Sequence, residues 1–225
     1  MVSYYQNKLY PLQEKVLSLF SSLDLPFYLT GGTALSRHYL NHRYSDDLDL
    51  FVNSDPSFKD LIGSIESALK ENCFSYKVLT RSPDFVRLQL TGKEEVNLKI
   101  DLVNDLVCHI GTYEYSEKLG RIDNIFNILS NKISAIPRLE IKDFADVVFI
   151  SRTYQFNWRI IIEDALQKDT WVNPIDLARY FSELSTVQFE AIPWCVPVDL
   201  DQVIRDCSIV SADMVRGTEN TLFRG

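Results

Sequence analysis

Apolar residues recur at three- and four-residue steps through the first stretch of the chain, at Leu12, Val16, Leu19, Phe20 and Leu23. That period predicts an amphipathic helix from Tyr4 to Leu23, ended by Pro26. Phe27-Tyr28-Leu29 is a short apolar run suited to a buried strand. Gly31-Gly32 breaks it ahead of a helix carrying Ala34, Leu35, Tyr39 and Leu40. Leu48 to Val52 alternates into a second strand, closed by Asn53-Ser54-Asp55-Pro56. A helix over 57–72 follows, then strands over 74–79, 85–90 and 96–103. Beyond Tyr115 strand signals stop and helical periods take over, first through Ile122, Ile125, Phe126, Leu129 and Ile133, then through Ile141, Phe144 and Val148. The pattern predicts an α/β (α+β) domain over 1–115, a mixed sheet with flanking helices, and a helical domain over 116–225. The residues from Arg216 onward carry little apolar content and are expected to be mobile.

Composition narrows the class. In 225 residues no apolar run approaches the ~18–20 residues of a membrane helix, and the N-terminus lacks the charged-then-apolar order of a signal peptide. A cytoplasmic protein without membrane contact is expected. Cys73, Cys108, Cys195 and Cys207 form no C-x-x-C pair and are read as reduced and mostly buried. A net charge of −8 argues against a dedicated duplex-DNA binder. Only the segment 120–159 is net basic, with six basic and four acidic residues, so an anionic partner is expected to meet the chain there.

The densest chemistry lies in Gly31-Gly32-Thr33-Ala34-Leu35 and Arg43-Tyr44-Ser45-Asp46-Asp47-Leu48-Asp49. A strand entering two glycines and then a helix turns backbone N–H groups toward whatever lies above it, and phosphate is the usual occupant. Many such turns use glycine for its backbone freedom alone. Residues two apart on a strand share a face, so Asp47 and Asp49 project together while Leu48 and Leu50 face the core. Such a pair attracts a hard divalent cation, although solvated strand starts also carry acidic pairs. Asp46 points the other way and is read as a loop residue. On the strand around Ile100, Lys99 and Asp101 share the face opposite Leu98 and Leu102, and a carboxylate there needs a cation or a hydrogen-bond partner. If that strand lies beside the Asp47/Asp49 strand, three carboxylates converge and can hold two metal ions for in-line phosphoryl or nucleotidyl displacement.

These residues resemble the nucleotidyltransferase superfamily with a DNA-polymerase-β-like fold, and within it the bacterial AbiEii/AbiGii toxin group. The superfamily pattern of Gly-Gly, Asp-x-Asp and a third Asp reads here as Gly31-Gly32, Asp47-Leu48-Asp49 and Asp101. The group's helical motif looks matched by Lys132, Arg138, Lys142-Asp143 and Asp146. The resemblance implies an NTP substrate and two Mg²⁺ (or Mn²⁺) ions. Asp47 and Asp49 would ligate both ions, and Asp101 would ligate one and help deprotonate the acceptor. Gly31, Gly32, Thr33 and Ser45 would hold the nucleotide, with Lys132, Arg138 and Asp143 contributing from the helical half. It further implies transfer of an NMP to a macromolecule such as a tRNA or a protein, and a toxin role opposed by a cognate antitoxin. An antibiotic-type adenylyltransferase and a non-catalytic nucleotide-binding module are the alternatives.

Read from the residues alone, Lys132 borders the stripe of Ile125, Leu129, Ile133 and Ile136, from where an ammonium can reach a cleft or simply snorkel to solvent. Asp143 is the site candidate and Asp146 the structural one. His38 and His42 have a helical metal spacing but no H-E-x-x-H context. Trp158, Trp171 and Trp194 are read as packing anchors.

Overall fold

The computed structural model describes residues 2–106 and 108–224. The chain divides into two compact units, Met1–Ala34 with Tyr44–Asn124, and Leu35–Arg43 with Ile125–Gly225.

The first unit is built on a seven-stranded mixed sheet. Its strands are β1 (Tyr28–Thr30), β2 (Leu48–Asn53), β3 (Ser75–Arg81), β4 (Phe85–Thr91), β5 (Asn97–Asp105), β6 (Glu114–Ser116) and β7 (Gly120–Ile122), in the order β3-β4-β5-β2-β1-β7-β6. β2–β5 and β1–β7 are parallel pairs and the other neighbours antiparallel. The period-two alternation gives the sheet two unlike faces. Leu48, Leu50, Val52, Val86, Leu88, Leu90, Leu98, Ile100 and Leu102 are all buried. Arg87, Gln89, Lys99, Asp47 and Asp49, on the opposite face, stay partly exposed. The N-terminal helical segment runs from α1 (Val2–Tyr4) through a wide turn at Tyr5–Leu9 into α2 (Tyr10–Ser22), which packs on β7. A short α3 (Gly31–Ala34) follows β1, and α4 (Phe58–Glu71) packs on β3 with Ile62, Ile65 and Leu69 buried.

The strands β6 and β7 correct the expectation that sheet structure ends near Tyr115. Each has three residues, too few for an alternation to register, and Gly120, at φ +78°, opens β7 opposite Ser116.

The second unit is helical: α5 (Ile125–Ala135), α6 (Ile141–Thr153), α7 (Trp158–Lys168), α8 (Pro174–Ser182), α9 (Thr186–Phe189) and α10 (Leu200–Arg216). Its core includes Trp158, Phe144, Phe181 and Phe189, with the Phe144 and Phe181 rings 4.9 Å apart edge to face. The tail expected to be mobile is packed instead. Asn220 Nδ2 donates to the carbonyls of Ser151 (2.7 Å) and Tyr154 (2.8 Å), and Leu222 is buried. One buried amide and one buried leucine anchor a segment whose composition looks disordered. The cysteines are also more open than expected: only Cys207 is buried, while Cys73 and Cys108 are exposed. Among the described residues, no helix is long and apolar enough to cross a membrane.

Candidate active site

The site grows from the end of β1. Gly31 has φ +67°, a conformation glycine adopts without strain, and a Cβ there would collide with the Asp49 carboxylate, standing 3.1 Å from its Cγ. The glycine therefore serves close approach of the turn to a carboxylate as well as the turn itself. Thr33, fully buried, donates its hydroxyl to the Asp47 carbonyl and lies 3.0 Å from Ser45 Oγ. Buried Gln13 of α2 donates to the carbonyls of Ser45 (3.3 Å) and Asp46 (3.0 Å), and Tyr44 stacks on Tyr5 at 4.2 Å. The loop entering β2 is thus fastened from three sides before the first aspartate.

The parallel pairing of β2 with β5 sets Asp49 opposite Asp101, and the antiparallel β1 sets Thr30 opposite Asp49. On the far side, β4 brings Arg87 opposite Asp101. Arg87 grips Asp101 with two bonds, Nε to Oδ1 and Nη2 to Oδ2, both 2.7 Å. Lys99 Nζ lies 2.5 Å from Asp47 Oδ2. The Arg87 pKa is raised, first by its bonds to Asp101 and then by the charges of Asp101, Asp47 and Asp49. One guanidinium therefore feels all three carboxylates, which places them in one electrostatic cluster.

Three carboxylates on one sheet face, beside a glycine that leaves room for one of them, have the hard oxygen donors that Mg²⁺ or Mn²⁺ requires. In chemistry and register they fit such an ion. Their side chains are turned onto basic partners, and among the described residues no three His, Cys, Asp or Glu side chains are grouped to hold a metal.

The remaining expected residues lie in the second unit. Lys132 is not at a solvent margin. It is buried, with Nζ 2.6 Å from Asp143 Oδ1 and 2.8 Å from Asp146 Oδ2. Asp146, fully buried, also receives Arg43 Nε and Nη2 (both 2.7 Å) and His42 Nε2 (2.8 Å). Burial alone would raise the Asp146 pKa, but Arg43 and Lys132 hold it well below the ordinary value. Burial would lower that of Lys132, yet Asp146 and Asp143 carry it above the usual lysine range. Arg138 and Lys142 are exposed. A hydrophobic stripe could not reveal that acids of the following helix face Lys132.

One residue escaped the sequence reading, and one expectation is corrected. Arg87 sits at a polar position of an alternating strand, a signal too common to single it out until register places it beside Asp101. Trp171 is 82% exposed and so is not a packing anchor, whereas Trp158 is fully buried.

The mixed sheet with flanking helices has the polymerase-β-like nucleotidyltransferase fold, and the family that the chain matches is one of nucleotidyl-transfer enzymes. The chain belongs to the AbiEii family, nucleotidyl transferase AbiEii toxins of type IV toxin–antitoxin systems, whose sequence profile matches residues 16–193. Two solved structures show the same fold. JHP933 from Helicobacter pylori has a TM-score of 0.58 and 21% identity, over 91% of this chain and 90% of that one. MenT4, a nucleotidyltransferase toxin from Mycobacterium tuberculosis H37Rv, has a TM-score of 0.60 and 12% identity, over 92% of this chain and 82% of that one. No curated protein gives a significant match.

Proposed function

We propose that the chain moves an NMP from an NTP to an RNA acceptor such as a tRNA, as a toxin countered by a cognate antitoxin. The observation that carries the reading is the level pairing of Asp49 with Asp101 beside Gly31. Asp47 and Asp49 would hold two Mg²⁺ or Mn²⁺ ions, with Asp101 on one of them. When bound, the ions offset triphosphate charge and acidify the acceptor hydroxyl. The Gly31-Gly32 turn would receive the phosphates, while Thr33 and Ser45, both buried with their hydroxyls 3.0 Å apart, brace that turn against the start of β2. A carboxylate oxygen of Asp101 takes the acceptor hydroxyl's proton as the acceptor O–Pα bond forms. The bond from Pα to the bridging oxygen breaks, and pyrophosphate leaves. Positioning and charge stabilisation supply the rate, as is usual for phosphoryl chemistry. In this reading Lys132 and Asp143 hold the second unit's polar core together, and exposed Arg138 and Lys142 are free to meet RNA phosphates.

Incubation with each NTP labelled at the α-phosphate, with Mg²⁺ and cell lysate, tests the function. Label should enter RNA. Label confined to small molecules would favour an antibiotic-type adenylyltransferase, and no label at all would favour a non-catalytic module.

A further inference from the structure

We propose that Arg87 and Lys99 are built-in counter-cations that hold Asp101 and Asp47 until a divalent ion arrives and then yield to it. Metal entry at this site is then an exchange of cations. The inference rests on the metal-binding reading above.

Asp101 is nearly buried, and a buried carboxylate without a partner is costly. Arg87 meets that need in the absence of metal, with a fork of two bonds to both oxygens. An ion on Asp101 must take at least one of those oxygens, so the fork and the ion compete for the same lone pairs. Lys99 stands in the same relation to Asp47 from the neighbouring register level. The partners differ in their freedom to move. The Arg87 side chain is 37% exposed against 11% for Asp101, so that cation can swing into solvent while the carboxylate stays, whereas Lys99 and Asp47 are about equally open at 37% and 31%.

The arrangement also accounts for a donor set that is right in kind and register while its side chains are not grouped around one point. Each of two carboxylates is turned along the sheet onto its own cation. Asp101 and Asp47 are each offset by a cation, so the pair attracts a lone divalent ion weakly. A nucleotide that brings its own phosphates gives the displaced guanidinium and ammonium new partners, so metal and NTP should bind cooperatively.

Mn²⁺ alone, titrated by calorimetry into the full chain, tests this. Wild type should bind weakly. Arg87→Gln should bind roughly three- to fivefold more tightly, the scale of one displaced ion pair. Arg87→Lys, which keeps the charge, should bind like wild type. Lys99→Gln, at a more exposed pair, should tighten binding in the same direction and serves if Arg87→Gln does not fold. A thermal melt gives a second reading: Arg87→Gln should be less stable than wild type without metal and gain more from added Mn²⁺. Affinities of both Gln variants within twofold of wild type would overturn the counter-cation role and leave the metal site intact. Absence of Mn²⁺ binding in wild type and both Gln variants, with NTP present or absent, would overturn the metal reading as well.

Discussion

Asp49 and Asp101 face each other across the parallel β2–β5 pair, 52 residues apart in sequence and level in register. Parallel neighbours present their side chains to one face at the same height, so this pairing alone makes two carboxylates adjacent.

Gly31→Ala tests how closely the turn must approach them. The left-handed backbone costs an alanine about 1–2 kcal/mol, and the new Cβ would strike the Asp49 carboxylate. Thermal melting should show a loss of several degrees, and transfer should fall further than stability alone explains, because the displaced group is Asp49. An unchanged melting temperature with full activity would contradict the geometry.

Lys132→Ala should damage the fold of the second unit. It would leave Asp143 and Asp146 buried with one cation fewer, a change that typically costs about 3–5 kcal/mol when a buried pair is broken. Circular dichroism during urea unfolding measures this. Stability within about 0.5 kcal/mol of wild type, the range of ordinary surface substitutions, would return Lys132 to the surface.

The same cluster sets a pH window. His42 donates from Nε2 to Asp146, and its Nδ1 is buried with no hydrogen-bond partner, so burial depresses its pKa below the ordinary 6.5. The unfolded chain takes up that proton first, so His42's contribution is present above 6.5 and is lost as pH falls below it. Asp146's contribution is likewise present above 3.8 and is lost as pH falls through its depressed folded value. That of Lys132 is present below 10.5 and is lost as pH rises through its raised folded value. The cluster's contribution should therefore be flat from about pH 7 to 10 and decline below about 6.5. His42→Gln should remove the decline near pH 6 and leave the more acidic one. A wild-type cluster contribution that grows between pH 7 and 5.5, measured against His42→Gln, would reverse the sign assigned to His42.

Segment charge assigned the acceptor to 120–159, but Lys132 is committed to buried acids and Arg152 to Asp206. Arg138 and Lys142 remain exposed, so Arg138→Glu with Lys142→Glu should abolish transfer to RNA. Wild-type RNA affinity should fall by orders of magnitude between roughly 50 and 200 mM salt. A flat salt dependence would exclude a phosphate-led acceptor.

What could be read from the chain depended on distance along it. Alternation around Leu50 and Ile100 placed both strands and told which side of each carried its aspartates, because period two is a local property. Whether those strands touch is not local, and only the family resemblance anticipated it. Arg87 could not be assigned to Asp101 without the β4–β5 register. Lys132 reads as a borderline lysine in any helical projection, since its acids sit on the next helix. The tail from Arg216 shows the converse: Asn220 anchors it through two carbonyls that no compositional measure can see.

The central claim is that Asp49 carries charge needed for transfer and not for folding. Asp49→Asn keeps the shape and removes the charge, and its melting temperature should stay close to wild type. Transfer of α-phosphate label from NTP with saturating Mg²⁺ is the direct measurement. The account predicts a loss of more than about tenfold, since charge stabilisation at such a site is worth several kcal/mol. A folded Asp49→Asn protein that retains more than about a tenth of wild-type turnover would contradict it.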